Sequence, residues 1–167
     1  MRVFRLSAEH AAVPFDCLFL DFETRSKSRF KARLMTTQEE VGVLLPRGTV
    51  LRGGSLLSDG AGAAVEVVAA DESLLRVGGS AYDRMRCAYH LGNRHVRLEV
   101  REDFLQLQFD SVLADMLRNL GVMPTLVYAP FEPEAGAYGG GHQHGHDTTF
   151  EEDYALAQAA FHVHAER

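Results

Sequence analysis

The apolar residues of this chain change period at Ser80, and that change limits the fold to a two-part α+β architecture. Before it, apolar residues come in short runs, Cys17–Phe22, Val41–Leu45 and Val65–Val68, separated by Pro46-Arg47-Gly48, Gly53-Gly54 and Asp59-Gly60-Ala61-Gly62. Such runs suit strands, and clusters of glycine, proline and aspartate end them. Residues 1–72 are therefore expected to form a small all-β domain.

After the change the spacing is helical. Ser80 serves as an N-cap, Asp83 completes a capping box, and Gly92-Asn93 is the stop; Tyr82, Met85 and Tyr89 then share one face. A second helix is expected from the cap Asp110 to Gly121, with Val112, Leu113, Met116, Leu117 and Leu120 at helical spacing. Between the helices, His95–Val100 and Phe104–Phe109 alternate like two strands joined at Arg101-Glu102-Asp103. Further strands are expected at Ser73–Val77 and Thr125–Tyr128. The order β-α-β-β-α-β predicts a ferredoxin-like domain over residues 73–138, with both helices on one face of an antiparallel sheet. Residues 139–167 are left as a flexible, histidine-containing tail.

That tail carries chemistry of its own. Gly139-Gly-Gly-His142-Gln-His144-Gly-His146-Asp147 sets three imidazoles on alternate residues, and with His162 and His164 five of the eight histidines fall in the last 29 residues. Neutral imidazole suits Ni(II), Zn(II) and Cu(II), and glycine lets neighbouring rings turn onto one ion. A plain polar tail or a purification tag is the other reading, although tags are usually uninterrupted histidine runs. Charge agrees with a cation: residues 1–74 carry 9 Lys/Arg against 10 Asp/Glu, residues 75–167 carry 8 against 13, and the net charge is −6. This balance disfavours nucleic acid or an anionic membrane as partner. The absence of a bilayer-length apolar run, and a start without a long apolar core, make a cytosolic protein the expectation. Cys17 and Cys87 match no zinc spacing and are expected to be reduced thiols.

Two further sets of residues stand out. In a strand from His95, the side chains of Val96, Leu98 and Val100 would face the helices, leaving His95, Arg97 and Glu99 on the opposite face with His95 accessible. One histidine cannot hold a divalent metal tightly; a two-fold homodimer would double it and the tail could supply the rest. Periodicity gives access without a role, since an exposed histidine is commonly only a surface residue. Arg25, Lys27, Arg29, Lys31 and Arg33 alternate strictly, so a strand there would place five positive charges on one face. Such a face is either merely solvated or a docking surface for an acidic protein.

The run Cys87-Ala-Tyr-His-Leu-Gly-Asn-Arg-His95-Val96, followed by Val112–Leu117 and Pro130–Tyr138 and preceded by Val43–Arg52, resembles the UreE family of urease accessory metallochaperones. The resemblance implies an N-terminal β domain, a ferredoxin-like metal-binding domain and a homodimer formed through the latter. It also implies delivery of nickel to apo-urease during assembly, in company with the urease accessory GTPase. His95 falls on the family's metal ligand at the dimer interface, and His90 would be structural. Some relatives carry a His-Asp-His pattern where this chain has Phe109-Asp110-Ser111, so peripheral sites are expected to be missing and more weight falls on His142, His144 and His146. The alternatives are a metal buffer without a delivery partner and a metal-dependent hydrolase. An enzyme is not expected, because the chain has no His-Glu-x-x-His, no Gly-x-Ser-x-Gly and no phosphate-cradling glycine loop.

Overall fold

The computed structural model describes residues 1–7 and 13–135. Its N-terminal part contains strands β1 (Val3–Leu6), β2 (Asp16–Leu20), β3 (Arg29–Arg33), β4 (Glu40–Leu44), β5 (Leu56–Ser58) and β6 (Ala64–Ala69), with a single helical turn, α1 (Phe22–Arg25), after β2. They form one six-stranded sheet in the order β2-β6-β5-β1-β4-β3. The inward residues Phe4, Leu18, Leu20, Val41, Val43, Leu57, Val65 and Val67 meet in a common core. Period-two alternation on each strand is what lets the sheet close over those side chains and leave the other face wet.

The second part runs β7 (Asp71–Val77), α2 (Ala81–Gly92), β8 (Glu99–Val100), β9 (Leu105–Gln108), α3 (Ser111–Asn119) and β10 (Thr125–Pro130). The four strands pair antiparallel in the order β10-β7-β9-β8, so the last strand lies beside the first. Leu75, Val77, Leu105 and Leu107 pack with Cys87 and Leu91 of α2 and Ala114 and Leu117 of α3. The expected caps form: Ser80 and Asp83 bond reciprocally in a capping box, and the Asp110 carboxylate accepts the amides of Val112 and Leu113.

Three expectations need correction. The strand predicted from His95 to Val100 shrinks to Glu99–Val100, and His95 lies in a turn instead. Val96 and Leu98 do pack on the helices, but Val100 is 46% exposed and Glu99 only 4% exposed. The reason lies beyond any period: the sheet face away from the helices is covered by the N-terminal part, where Phe22, Leu74 and Phe131 form a small core of their own. The five alternating charges likewise do not share a strand. Arg25 ends α1 and is buried, and Lys27 follows α1 and pairs with Glu23 at 2.8 Å, so only Arg29, Lys31 and Arg33 lie exposed along β3.

Arg25, at 0% exposure, joins the two parts. Its Nε donates to the Leu20 carbonyl at 3.2 Å, Nη1 to the Leu51 carbonyl and to Glu132 Oε1, both at 3.0 Å, and Nη2 to the Phe131 carbonyl at 2.5 Å. Glu132 also accepts Arg52 Nη1 at 2.9 Å and the Gly53 amide at 2.8 Å. Its own amide donates to Glu99 Oε2 at 2.7 Å, and Glu99 is held in turn by Gln106 and Arg101. Burial pushes both carboxyls up, but donated hydrogen bonds and the neighbouring guanidiniums outweigh it and leave both below the usual glutamate range. A buried charge is tolerated only when paired and fully hydrogen-bonded, and among the described residues no buried polar side-chain atom lacks a partner.

Removing one partner of such a pair strands the other. Arg25→Ala is expected to cost about 3–5 kcal/mol of stability, the range for breaking a buried ion pair from one side. Urea unfolding measures it; a loss below about 1 kcal/mol, typical of an exposed pair, would remove Arg25 from this position.

Candidate metal site

Helix α2 sets the geometry of the site. It buries Cys87 and Leu91 against the sheet and leaves Tyr82, Met85 and Tyr89 on its outer side, 65%, 64% and 66% exposed. These three residues are spaced i, i+3, i+7, so they form one stripe that runs toward the C-terminal end of the helix. Single exposed apolar residues are ordinary, whereas a contiguous stripe marks a surface that meets something.

The helix then closes with a tight turn. The His95 amide donates to the Gly92 carbonyl at 2.9 Å and the Val96 amide to the Leu91 carbonyl at 3.2 Å. This is the paired closure in which the residue between those two amides takes the left-handed conformation, a place usually held by glycine. Here it is His95, with φ 55°. A residue with a Cβ pays about 1 kcal/mol or more to sit there, and asparagine, aspartate and histidine are the side chains found there most often after glycine. His95 is exposed, so its ring gains no burial in exchange for that strain. His90, one turn earlier, is half-buried, its ring edge-on to Tyr89 at 5.3 Å. Its backbone carbonyl accepts Arg94 Nη1 at 3.1 Å, which steadies the turn from outside.

Among the described residues no three His, Cys, Asp or Glu side chains converge as a metal-binding group. His95 therefore offers one nitrogen donor where a closed nitrogen site takes about four ligands. His142, His144, His146, His162 and His164 lie outside the described residues. Near the end of the described residues, the Glu134 amide donates to the Leu98 carbonyl at 2.7 Å, three residues beyond His95. Of the cationic set, Arg29, Lys31 and Arg33 line the outer strand of the first sheet. Arg29 and Lys31 flank a shallow depression of about 380 Å³ floored by Met1, Val3, Gly42 and Leu44. Sequence reasoning missed Arg25, Glu99 and Glu132. Buried ion pairs leave no periodic trace, and the only hint was the charge between apolar residue and proline in Phe131-Glu132-Pro133.

Two family models cover this chain. The one described as UreE urease accessory protein, N-terminal domain, matches residues 4–70, and the one described as UreE urease accessory protein, C-terminal domain, matches residues 65–165. Proteins named urease accessory protein UreE are similar over most of its length. That of Cupriavidus pinatubonensis is 58% identical over 148 residues, covering 88% of this chain and 66% of that protein, just under two thirds. That of Cupriavidus necator is 53% identical over 165 residues, covering 95% and 85%. That of Ralstonia nicotianae is 60% identical over 148 residues, covering 88% and 70%.

The left-handed turn gives a substitution that separates backbone from ring. His95→Gly is expected to keep the fold and to raise stability of the metal-free protein by up to about 1 kcal/mol, since glycine occupies positive φ without strain. Thermal unfolding in chelator checks this. A clear loss of stability would mean that the ring packs against something and is not held free.

Proposed function

Because the chain belongs to the UreE family of urease accessory proteins, we propose that it is a nickel-binding metallochaperone that delivers Ni(II) to apo-urease while the urease active site is assembled. It is an accessory protein and not an enzyme. In this reading it acts in the cytosol as a homodimer, with the urease accessory GTPase and the apo-urease assembly complex as partners. Among the described residues no helix is long and apolar enough to cross a membrane. The observation that carries the reading is the exposed His95, strained at φ 55° at the end of an exposed apolar stripe.

The division of the chain supports it. Residues 1–72 are taken as the protein-docking domain, 73–138 as the metal-binding and dimerisation domain, and 139–167 as the histidine-bearing tail. The strand order β10-β7-β9-β8 with two crossover helices supports a ferredoxin-like reading of the second domain. Tyr82, Met85 and Tyr89 suit self-association: a two-fold axis near the end of α2 would bury the stripe against its copy and bring two His95 rings together. A pair of imidazoles is half a site. Tail histidines, His142, His144 and His146 first and His162 and His164 after them, would complete it. Ligand type ranks nickel and zinc closely, with copper above, so Zn(II) and Cu(II) also bind in vitro and nickel follows from the urease client.

A transfer protein needs an affinity that can be reversed, and neutral imidazoles in an open site provide that, because each competes with a proton. Imidazole titrates near about 6.5, so nickel affinity is expected to fall between about pH 7.5 and about pH 5.5. Calorimetry at both values tests the ligand type, and equal affinity would exclude a histidine-dominated site. In the same experiment His95→Ala removes the tightest site, while replacing the tail histidines lowers stoichiometry or weakens binding.

The docking surface is assigned to β3. Arg29, Lys31 and Arg33 are exposed beside an apolar depression, and the ion pair of Lys31 with Glu40 is itself exposed and weak enough to exchange for a partner's carboxylate. Arg25 and Lys27, the first two charges of that alternating run, lie off this strand. Replacing Arg29 and Arg33 by glutamate is expected to abolish urease activation in cells without changing nickel affinity; unchanged activation would move the docking surface elsewhere.

A further inference from the structure

The outer face of the first sheet carries a gap that its own strand does not call for. Strand β4 lies between β1 and β3, and across these three strands Val3 pairs with Gly42 and Gly42 with Lys31. The middle of the row therefore has no side chain. Glycine weakens a strand interior and is found there at a bulge, at a positive φ, or where a ligand or another backbone comes close. The regular pairing of Gly42 on both sides excludes a bulge, and its φ is not positive. A Cβ there would first meet side chains, Met1 Cε at 3.3 Å and Val3 Cγ2 at 3.7 Å, so no backbone crowds it. Met1 is itself 72% exposed and leans over the gap without filling it. What the glycine leaves is room, the depression of about 380 Å³ floored by Met1, Val3, Gly42 and Leu44.

We propose that this depression is an anchor pocket: it takes one large apolar side chain, of the size of phenylalanine, from an acidic segment of a partner protein whose flanking carboxylates meet Arg29, Lys31 and Arg33. The proposal rests on the reading above that β3 is a docking surface, and it names what docks there. Charge selects the partner. Three exposed cations stand along β3, and Glu40, opposite them on β4, pairs with Lys31 at 3.1 Å. Arg29 and Arg33 make no ion pair among the described residues. Spacing selects the shape. The three cations repeat at about 7 Å along one face, as do alternate residues of an extended segment, so carboxylates on either side of the anchor can meet Arg29 and Arg33. The net charge of −6 opposes an anionic membrane here, whereas single carboxylates of a protein segment can pair one by one. The buried anchor supplies affinity, and the charges set orientation.

The probe is the capped peptide acetyl-Glu-Glu-Phe-Glu-Glu-amide, titrated into the full chain with backbone amide chemical shifts as the readout. Shifts are expected at Val3, Lys31, Gly42 and Leu44, and replacing the phenylalanine of the peptide by glycine is expected to weaken binding about tenfold. Gly42→Val fills the pocket and displaces only the flexible end of Met1, so the thermal midpoint is expected not to fall. It is expected to weaken the phenylalanine peptide about tenfold and to leave the glycine peptide unchanged. Gly42→Ala, which adds the Cβ alone, gives a smaller loss of the same kind. Arg29→Glu combined with Arg33→Glu weakens both peptides. No shift at the pocket, or an equal effect of Gly42→Val on the two peptides, overturns the proposal. So does co-sedimentation with phosphatidylglycerol vesicles that Gly42→Val abolishes, since the pocket would then read a lipid. The docking reading fails by a different outcome, in which the charge reversal leaves urease activation in cells unchanged. If the reversal abolishes activation while Gly42→Val activates like wild type, the surface docks by charge alone and the anchor pocket is overturned.

Discussion

The fold depends on one buried guanidinium. Arg25 is the largest fully buried side chain among the described residues, and it spends four hydrogen bonds on carbonyls and a carboxylate from three separate stretches of chain. Charge burial of this kind is expensive unless every donor is met, and a near-complete set of partners is a demanding geometric condition. Leu20 and Leu51 come from the first part, Phe131 and Glu132 from the second. Beside the small core of Phe22, Leu74 and Phe131, the guanidinium ties the two parts to each other by directional bonds. Glu132 and Glu99 extend the constraint from that point to β8 and β9 through Gln106 and Arg101.

From there the constraint reaches the candidate site. Glu99, Leu98 and Arg97 are each held by contacts from other segments, and two to four residues earlier the chain turns through His95. On the other side, the turn is tied to α2 by the amides of His95 and Val96. An imidazole on a backbone pinned at both ends is preorganised, and the left-handed φ at a residue with a Cβ indicates that the surroundings impose it. His95 is nevertheless a single donor. In the proposed reading a second copy and the tail would each add ligands without a rigid pocket, which suits ion transfer better than a catalyst needing a fixed, partly open coordination sphere.

Local signals in the sequence were reliable wherever the deciding contacts were local. The capping box of Ser80 and Asp83 and the cap Asp110 set helix starts through bonds spanning three residues, and both helices begin where those residues predict. Val41, Val43, Val65 and Val67 alternate into the first core as their period requires. The failures share one cause. Alternation from His95 to Val100 implies one wet face, but Glu99 on that face is buried by Gln106, Arg101 and the Glu132 amide, which come from outside the stretch or beyond its end. Alternation from Arg25 to Arg33 suits one strand, but three of the four Arg25 hydrogen bonds go to partners 26 and about a hundred residues away.

The sequence by itself determined the kind of elements, their order, the donor chemistry of a histidine-rich chain and, by resemblance, the family to which the comparisons assign it. Those properties follow from residue spacing and side-chain type, which are written along the chain. Only the tertiary structure decided which of five alternating cations is a structural pin, that His95 sits on a strained turn and not in a strand, and that Glu134 is bonded to Leu98 close by. Each of these is set by contacts between distant segments. Burial, partner and backbone angle belong to the packed assembly of the two parts, and no period within one segment carries them.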